Sequence, residues 1–335
     1  MPTTIRDVAA RARVSAATVS RVLNGRTDVA TDLRERVLDA VADLGYRPNG
    51  LARSLRMRAT TVLGVIISDV TNPFFTSMVR GIEDTAQAAG YSVVLANSDE
   101  DPDKERRYLE VAAAEQMAGV ILSPASSRDT RIDVLADPGI PVVTIDRRLR
   151  GDAGASVDSV LVNNFRAAQQ ATEHLIEQGC RRIGFVAGPV ATTTGSRRLA
   201  GHRAALKAAG IDDDESLVVQ ADFRIDGGRE ATEKLLADTD IDALFVSNNL
   251  MTIGALEALA EAGKNIPDDV AVIGFDDMSW ATALRPPLTA VTQPTYQIGQ
   301  QTAELLLRRI NGEKSPPQHI VLSAELVIRG SSLRR

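Results

Sequence analysis

The chain has 335 residues, with 38 basic and 44 acidic side chains and a formal net charge of −6. This length allows two or three domains with a large core, and the single cysteine, Cys180, excludes an internal disulfide and a cysteine-rich metal site. No apolar run precedes the first charges at Arg6 and Asp7, as an export signal would require, and no stretch approaches the length of a membrane span, so we expect a cytoplasmic protein.

The first 24 residues predict two short helices joined by a tight turn. Thr4 can cap the first helix, with Asp7 at the capping-box position, and Ser15 can cap the second. Apolar side chains recur at helical spacing on one face of each helix, and Arg21 points away from the apolar face of the second. Such a pair suits the DNA major groove, and the agreement of caps, turn and periodicity favours this interpretation over an ordinary helical hairpin.

Basic charge is concentrated around the same helices. Residues 1–60 contain 11 arginines, no lysine and 6 acidic residues, a net charge of +5, whereas the other residues carry 27 basic and 38 acidic side chains, a net charge of −11. A basic head on an acidic body favours a DNA-binding head, because the body itself would repel phosphate.

A third helix and a short basic segment follow. Thr31 is predicted to cap a helix over residues 32–44, which ends at Gly45. The Pro-Asn-Gly sequence at 48–50 breaks the structure, and residues 51–56 are too few to form a stable helix alone. This segment is either a plain basic linker or a segment that folds on DNA.

From Val62 onward, apolar strands alternate with helices. Strands are predicted at 62–67, 91–96, 119–122, 141–145, 183–187, 218–222, 243–246 and 270–273. Helices are predicted at 74–88, 103–116, 163–178, 196–209, 227–237, 251–262 and 296–310. Continuous apolar strands between helices are typical of parallel sheets buried on both faces. Because the pattern restarts midway, we expect two α/β lobes and a cleft where the carboxyl ends of their strands face each other.

Sequence signatures of enzymes do not occur. The chain contains no Gly-x-Gly-x-x-Gly, P-loop or Gly-x-Ser-x-Gly string, and its histidines, His174, His202 and His319, are far apart. We therefore expect a binding protein without metal or cofactor rather than an enzyme. A free sugar-binding transport protein is the alternative of another class, and the DNA-binding head disfavours it.

Side chains suited to a sugar follow several of the predicted strands. A sugar ring has two weakly apolar faces and a rim of hydroxyls, so aromatic rings bind its faces and carboxylates, amides and guanidiniums bind its rim. The candidates of these types are Phe74, Phe75, Asp146, Arg147, Phe223, Asn248 and Asp276. Core packing or helix capping is the alternative role for each of them taken singly.

Taken together, these motifs closely resemble the lac repressor/galactose repressor family. In the head, the resemblance rests on residues 4–9, 14–15, 18–24, 46–49 (Tyr-Arg-Pro-Asn) and 52–55 (Ala-Arg-Ser-Leu). In the body it rests on 69–75 (Asp-Val-Thr-Asn-Pro-Phe-Phe) and 273–277 (Ile-Gly-Phe-Asp-Asp), and it spans essentially the whole chain. It implies an N-terminal all-α helix-turn-helix domain and an α/β two-lobed effector domain like the periplasmic binding proteins, with doubly wound parallel sheets.

The same resemblance implies the domain boundaries and the assembly. Residues 1–47 would be the helix-turn-helix domain, 48–60 the hinge and 61–335 the effector domain. The chain would cross between lobes three times, with lobe 1 at 61–161 and 292–323 and lobe 2 at 162–291 and 324–335. A homodimer joined through the first lobe would bind a near-palindromic operator and hold a small effector in its cleft.

The residues predicted to contact DNA belong to both parts of the head. They are Thr4, Ser15, Ala16, Ala17, Thr18, Ser20, Arg21 and Asn24 in the helix pair, and Asn49, Ala52, Arg53, Leu55 and Arg56 in the hinge. Arg21 can donate two bonds to a guanine, with a phosphate contact as the alternative, and Ala16 and Ala17 can contact thymine methyls. Leu55 is predicted to insert between base pairs in the minor groove, or else to pack against the body.

The resemblance also extends the predicted effector site. It adds Asn72, Arg198 and Gln293, and the whole set looks most like the ribose-binding branch. We therefore expect a monosaccharide effector, a pentose such as ribose, with a purine as the runner-up. Asn249 departs from the aspartate of many relatives, which alters the expected pattern of hydroxyl contacts.

Overall fold

The computed structural model describes residues 3–23, 29–45 and 60–334. The chain divides into two compact units, one ending at Thr60 and the other beginning at Thr61. No helix in the described part of the chain is both long and apolar enough to cross a membrane.

The described part of the first unit contains three helices, α1 (Ile5–Ala12), α2 (Ala16–Leu23) and α3 (Thr31–Asp43). The capping box predicted for α1 is confirmed, because the Asp7 backbone N–H donates to Thr4 Oγ1 and the Asp7 carboxylate accepts from the Thr4 backbone. The cap of α2 is confirmed as well, since the Thr18 N–H donates to Ser15 Oγ over 3.1 Å. The predicted cap of α3 is wrong. Thr31 is the first residue of the helix, and Ala30, at the cap position, has no side chain that could accept the bond.

A small apolar core joins these helices. Val8, Val19 and Val37, one from each helix, are completely buried. Arg36 of α3 donates from Nη2 to the Ala12 carbonyl at the end of α1, so a cation satisfies an oxygen that has no partner within its own helix. This small core uses only one face of α2, so the exposed face of that helix is not needed for packing the three helices together.

The second unit contains two six-stranded sheets. The first sheet is parallel throughout, in the order β11-β5-β4-β3-β1-β2. Its strands are β1 (Val62–Ile67), β2 (Ser92–Asn97), β3 (Gly119–Leu122), β4 (Val142–Ile145), β5 (Asp158–Val162) and β11 (His319–Leu322). The second sheet has the order β12-β10-β9-β8-β6-β7, and only β12 is antiparallel to its neighbour. Its strands are β6 (Ile183–Ala187), β7 (Val218–Gln220), β8 (Ala243–Val246), β9 (Ala271–Phe275), β10 (Thr289–Thr292) and β12 (Glu325–Val327).

Helices cover the faces of both sheets. They are α4 (Pro73–Ala88), α5 (Pro102–Ala114), α6 (Gly151–Ser156), α7 (Asn164–Glu177), α8 (Thr193–Ala208), α9 (Ile225–Asp238), α10 (Asn249–Glu261) and α11 (Thr295–Ile310). Helix α11 packs closely on α4, where a Cβ at Gly81 would lie 2.2 Å from the Tyr296 carbonyl oxygen. Glycine is therefore required at this crossing, which places the last long helix on the first lobe.

The chain passes between the two sheets three times, after β5, after β10 and after β11. None of these three strands was predicted, and two of them, β5 and β10, lie inside their sheets. Both begin with a polar residue that is buried because of a distant partner: Asp158 is paired with Arg309, and Thr289 Oγ1 donates to the Arg329 carbonyl. Their local sequences therefore look less apolar than their positions in the sheets require.

Candidate functional site

One cleft lies at the carboxyl ends of strands from both sheets. Nine of the ten residues predicted to bind the effector line it: Asn72, Phe74, Phe75, Asp146, Arg147, Arg198, Phe223, Asn248 and Asp276. Gln293, the tenth, lies in an adjoining cavity and donates from Nε2 to Asp276 Oδ1. The centre of a water-sized sphere can occupy only about 30 Å³ of the cleft, so the two lobes lie nearly closed around it in this structure.

Strained backbone turns three of these side chains at the strand ends. Asp146, Phe223 and Asp276 have φ values of 65°, 67° and 69°, in the left-handed region that residues other than glycine uncommonly adopt. Such strain costs about 1–3 kcal/mol per residue and is concentrated at binding and catalytic sites. The left-handed backbone at these three positions therefore sets the direction in which the side chains leave the strand ends.

Phenyl rings form the apolar part of the cleft. Phe74 and Phe75 meet edge to face, with ring centroids 5.2 Å apart and planes inclined at 75°. Phe223, from the other lobe, lies so close to Gly188 that a Cβ there would be 2.0 Å from a ring carbon. Gly188 therefore makes room for the Phe223 ring, a role that was not predicted.

The two asparagines cap helices as well as lining the cleft. Asn72 Oδ1 accepts from the Phe74 N–H at the start of α4, and Asn248 Oδ1 accepts from the Met251 N–H at the start of α10. Asn72 Oδ1 also accepts from Asn249 Nδ2 over 2.9 Å, which links the two lobes. The side chains of Asn72 and Asn248 thus each cap a helix and also line the cleft. The positive ends of the two capped helices therefore face the cleft.

Arg147 is almost completely buried and is held by Glu100. Its Nη1 and Nη2 atoms donate to the two Glu100 carboxylate oxygens over 2.5 and 2.6 Å, and Nη1 also donates to the Pro124 carbonyl. Nε, 3.5 Å from an Asp146 oxygen, is buried without a hydrogen-bond partner among the described residues. Because buried donors normally make a hydrogen bond, the Nε–H of Arg147 suits a ligand that places an acceptor atom beside it.

Arg198 joins the second lobe to the cleft. Its Nε donates to Asn164 Oδ1 over 2.7 Å, and its Nη1 donates to the Ser247 carbonyl over 2.6 Å. The guanidinium carbon lies 3.6 Å from the centroid of the Phe275 ring, a close cation–π contact. This arrangement fixes a positive charge near both buried carboxylates of the cleft.

Burial controls the ionisation of those carboxylates. It raises the pKa of Asp146 to about 6, against the opposing effects of Arg147 and Arg198. Burial also raises the pKa of Asp276, and Arg198 and the Gln293 amide act in the opposite direction. Both groups are therefore easier to protonate than ordinary aspartates.

A pH dependence of ligand affinity follows from the Asp146 carboxylate. It is ionised well above pH 6 and takes up a proton as the pH falls through 6, so it then stops accepting a bond from a ligand hydroxyl. We expect affinity to be constant from pH 7 to 8 and to fall by up to about tenfold per unit below pH 6. Calorimetry from pH 5 to 8 measures this, and Asp146→Asn should remove the Asp146 contribution. Constant wild-type affinity down to pH 5 would contradict it.

Two residues that support the site were not predicted. Glu100 follows β2, so the strand-end rule that found the other residues could have found it. Asn164, which holds Arg198, comes after β5, and no local signal identified that strand. Among the described residues, no group of three His, Cys, Asp or Glu side chains is arranged to hold a metal ion.

In the head, the predicted reading surface lies on α2. Ala16, Ala17 and Arg21 are exposed there, while Val19 and Val22 on the opposite side are buried. The hydroxyl oxygens of Thr4 and Ser15 accept helix-capping bonds, and Thr18 and Ser20 are partly exposed. The remaining predicted DNA contacts, Asn24, Asn49, Ala52, Arg53, Leu55 and Arg56, lie outside the described residues.

A helix-turn-helix head and a two-lobed body with a polar cleft define a ligand-responsive DNA-binding regulator. The family description "Bacterial regulatory proteins, lacI family" matches residues 4–49, and "Periplasmic binding protein-like domain" matches residues 172–332. The chain belongs to the lacI family of bacterial regulatory proteins.

Relatives of known name match over nearly the whole chain. The ribose operon repressor of Halalkalibacterium halodurans is 38% identical, with 98% of this chain and 96% of the relative covered. Catabolite control protein A of Priestia megaterium is 36% identical, with 99% and 100% covered. These relatives are transcription regulators.

Solved structures match the fold over a similar span. The lac repressor dimer bound to operator and the anti-inducer ONPF has a TM-score of 0.86 at 28% identity, covering 99% of this chain and 100% of that one. The complex of the transcriptional regulator CelR with cellobiose has a TM-score of 0.76 at 37% identity, covering 98% and 99%.

Proposed function

We propose that this protein is a cytoplasmic repressor of a carbohydrate-utilisation operon, and that its cleft binds a monosaccharide, a pentose such as D-ribose, without catalysis, metal or cofactor. The observation that carries the proposal is the composition of the cleft, in which phenyl rings from both lobes face a rim of buried carboxylates, amides and guanidiniums. Such a lining suits a ring with apolar faces and a hydroxyl rim. The names of the ribose operon repressors among the relatives support the same ligand class.

The geometry of the lining favours a sugar over a purine. Asp146 and Asp276 supply acceptors for hydroxyl donors from two different strand ends, and Arg147 Nε supplies a donor that makes no hydrogen bond within the described part of the chain. Each of these groups would be satisfied by a hydroxyl, which both donates and accepts.

A ligand screen on the full chain tests this proposal. Thermal unfolding with D-ribose, D-xylose, D-glucose, hypoxanthine and guanine should show the largest rise in melting temperature with a pentose, because a ligand that binds only the folded state stabilises it. Calorimetry then measures the affinity of each hit. Binding of a purine without any sugar binding at millimolar concentration would contradict the proposed ligand.

Arg21 is proposed to read a guanine of the operator. Replacing Arg21 with alanine should cost about 1–3 kcal/mol of operator binding and should relax the preference at one base pair. Arg11→Ala removes the same charge from α1, where Arg11 pairs with Asp43, and serves as the control. Binding measured on an operator and its single-base variants distinguishes the roles, since equal loss on every variant would indicate a phosphate contact instead.

We also propose that the protein acts as a homodimer joined through its first lobe, with the head at 1–47 and the hinge at 48–60 delivering two reading helices to a near-palindromic operator. The supporting observation is β2, an edge strand of the first sheet on which Val94 and Leu95 are 47% and 41% exposed. An exposed apolar edge strand is a ready surface for self-association.

Leu95→Asp is expected to weaken that dimer by at least about tenfold, because it would bury a charge against an apolar surface. Val321→Asp is the matched control, since Val321 is exposed on β11 at the opposite edge of the same sheet. Sedimentation at micromolar concentration measures both variants. A wild-type monomer, or equal effects of the two substitutions, would contradict the proposed interface.

A further inference from the structure

A two-residue turn after β2 reaches the arginines of the cleft. Asp99 and Glu100 are consecutive left-handed residues, with φ values of 58° and 60°. The Asp99 carboxylate accepts from Arg224 Nη2 over 3.0 Å, across the cleft, and the Glu100 carboxylate accepts from Arg147. Two strained residues in succession thus place two carboxylates on two cleft arginines.

In the Glu100–Arg147 ion pair, Glu100 occupies the two terminal nitrogens through which the Arg147 guanidinium would otherwise bind phosphate. Arginine recognises phosphate through parallel bonds from its planar fork. In Arg147 both terminal nitrogens already donate to the two Glu100 oxygens, and Nη1 also serves the Pro124 carbonyl. Among the described residues Nε makes no hydrogen bond, an Asp146 carboxylate oxygen lying 3.5 Å away, and its single N–H suits one hydroxyl oxygen.

The other charged side chains of the cleft also disfavour a bound phosphate. Its lining contains five carboxylates, Asp69, Glu100, Asp146, Asp222 and Asp276, and three guanidiniums, those of Arg147, Arg198 and Arg224. With all of them ionised, the lining has a net charge of −2. Arg198 is engaged by Asn164 and the Ser247 carbonyl, and Arg224 by Asp99. Each cleft cation therefore already has a partner within the described residues.

We propose that Glu100 is a specificity-determining residue, which occupies the Arg147 fork and so makes the cleft accept uncharged sugars and exclude phosphorylated ones. A sugar phosphate would have to displace the half-buried Glu100 carboxylate from the buried Arg147 guanidinium while adding negative charge to an already negative lining. This inference rests on the proposed sugar-binding function, and it adds which chemical form of the sugar is recognised.

Calorimetry on the full chain tests the inference with two matched pairs, D-ribose with D-ribose 5-phosphate and D-glucose with D-glucose 6-phosphate. For the pair that binds, we expect the wild type to prefer the free sugar by at least about 100-fold, because the phosphate finds no free guanidinium fork. Glu100→Gln should narrow this ratio by at least about tenfold, since its amide keeps an acceptor for Arg147 but removes the charge.

Asp103→Asn is the control, because it removes a nearby exposed charge that pairs with Arg106 and contacts no arginine of the cleft. Its preference should stay within about threefold of the wild type. A purely structural role of Glu100 would lower the affinity for both members of a pair and leave their ratio unchanged, so the ratio is the decisive readout.

Four outcomes separate the possibilities. A narrowed ratio in Glu100→Gln alone supports the inference, and an unchanged ratio overturns it while the sugar-binding function stands. Equal affinity of the wild type for both members of a pair overturns the proposed role of Glu100. This comparison needs no variant, so it remains decisive even if Glu100→Gln does not fold. Absence of binding by every sugar, together with purine binding, overturns the proposed function and the inference with it.

Discussion

Replacing Asp276 with alanine is expected to abolish sugar binding while leaving operator binding without sugar intact. The carboxylate is buried at the end of β9, accepts from Gln293 Nε2 and faces Arg198. Loss of two charge-assisted hydroxyl bonds, at about 1.5–3 kcal/mol each, would weaken binding by at least about 100-fold. Calorimetry measures the sugar affinity, and fluorescence anisotropy measures operator affinity, which should change by less than about threefold because the head is a separate compact unit.

Two further variants separate the loss of charge from other effects. Asp276→Asn keeps the volume and tolerates the left-handed backbone better than alanine, so it should also lose affinity if the charge is what binds the hydroxyls. Asp238→Ala removes an exposed carboxylate at the end of α9 and should bind sugar like the wild type. Undiminished sugar affinity in Asp276→Ala would contradict the proposed site.

Arg198→Ala is expected to destabilise the second unit by about 3–5 kcal/mol, because it leaves a buried network without its cation. Asp146 and Asp276 would lose a neutralising charge, and Asn164 Oδ1 and the Ser247 carbonyl would lose their donor. Urea unfolding at pH 7 measures the change. Because both carboxylates would then have still higher pKa values, part of the loss should be recovered as the pH falls towards 5.

Arg197 provides the matched control for this experiment. It precedes Arg198 on α8 but is exposed, with its guanidinium 5.1 Å from the centroid of the Phe165 ring. Arg197→Ala should cost no more than about 1 kcal/mol, the value of an exposed cation–π contact. Equal destabilisation by the two substitutions would show that the buried network around Arg198 does not stabilise the body.

Local sequence patterns predicted the parts of the fold that depend on local physics. The strands at 62–67, 119–122, 183–187 and 243–246 have the predicted bounds, because each is a short apolar run between helices. The caps at Thr4 and Ser15 are confirmed, since both depend on residues three positions apart. Strand β5 could not be predicted in this way, because Asp158 becomes a strand residue through Arg309, which is 151 positions away in the sequence.

The same distinction applies to the cleft. The rule that ligands bind at the carboxyl ends of parallel strands selected Asp146, Phe223 and Asp276, and it required no knowledge of their neighbours. It could not reveal that Arg147 is bound to Glu100, 47 positions earlier, or that Phe223 depends on Gly188. Positions of chemical groups could thus be predicted from sequence, whereas the atoms left free for a ligand depend on tertiary contacts.

We expect a sugar in the cleft to control operator binding by the head. The most direct test of this control is the operator affinity of the full chain, measured by fluorescence anisotropy on a fragment selected from random DNA, with and without D-ribose. We predict a change of at least about fivefold that saturates at the sugar concentration found by calorimetry and is absent in Asp276→Ala. Operator affinity that is identical with and without bound sugar, or an undiminished response in Asp276→Ala, would contradict the account.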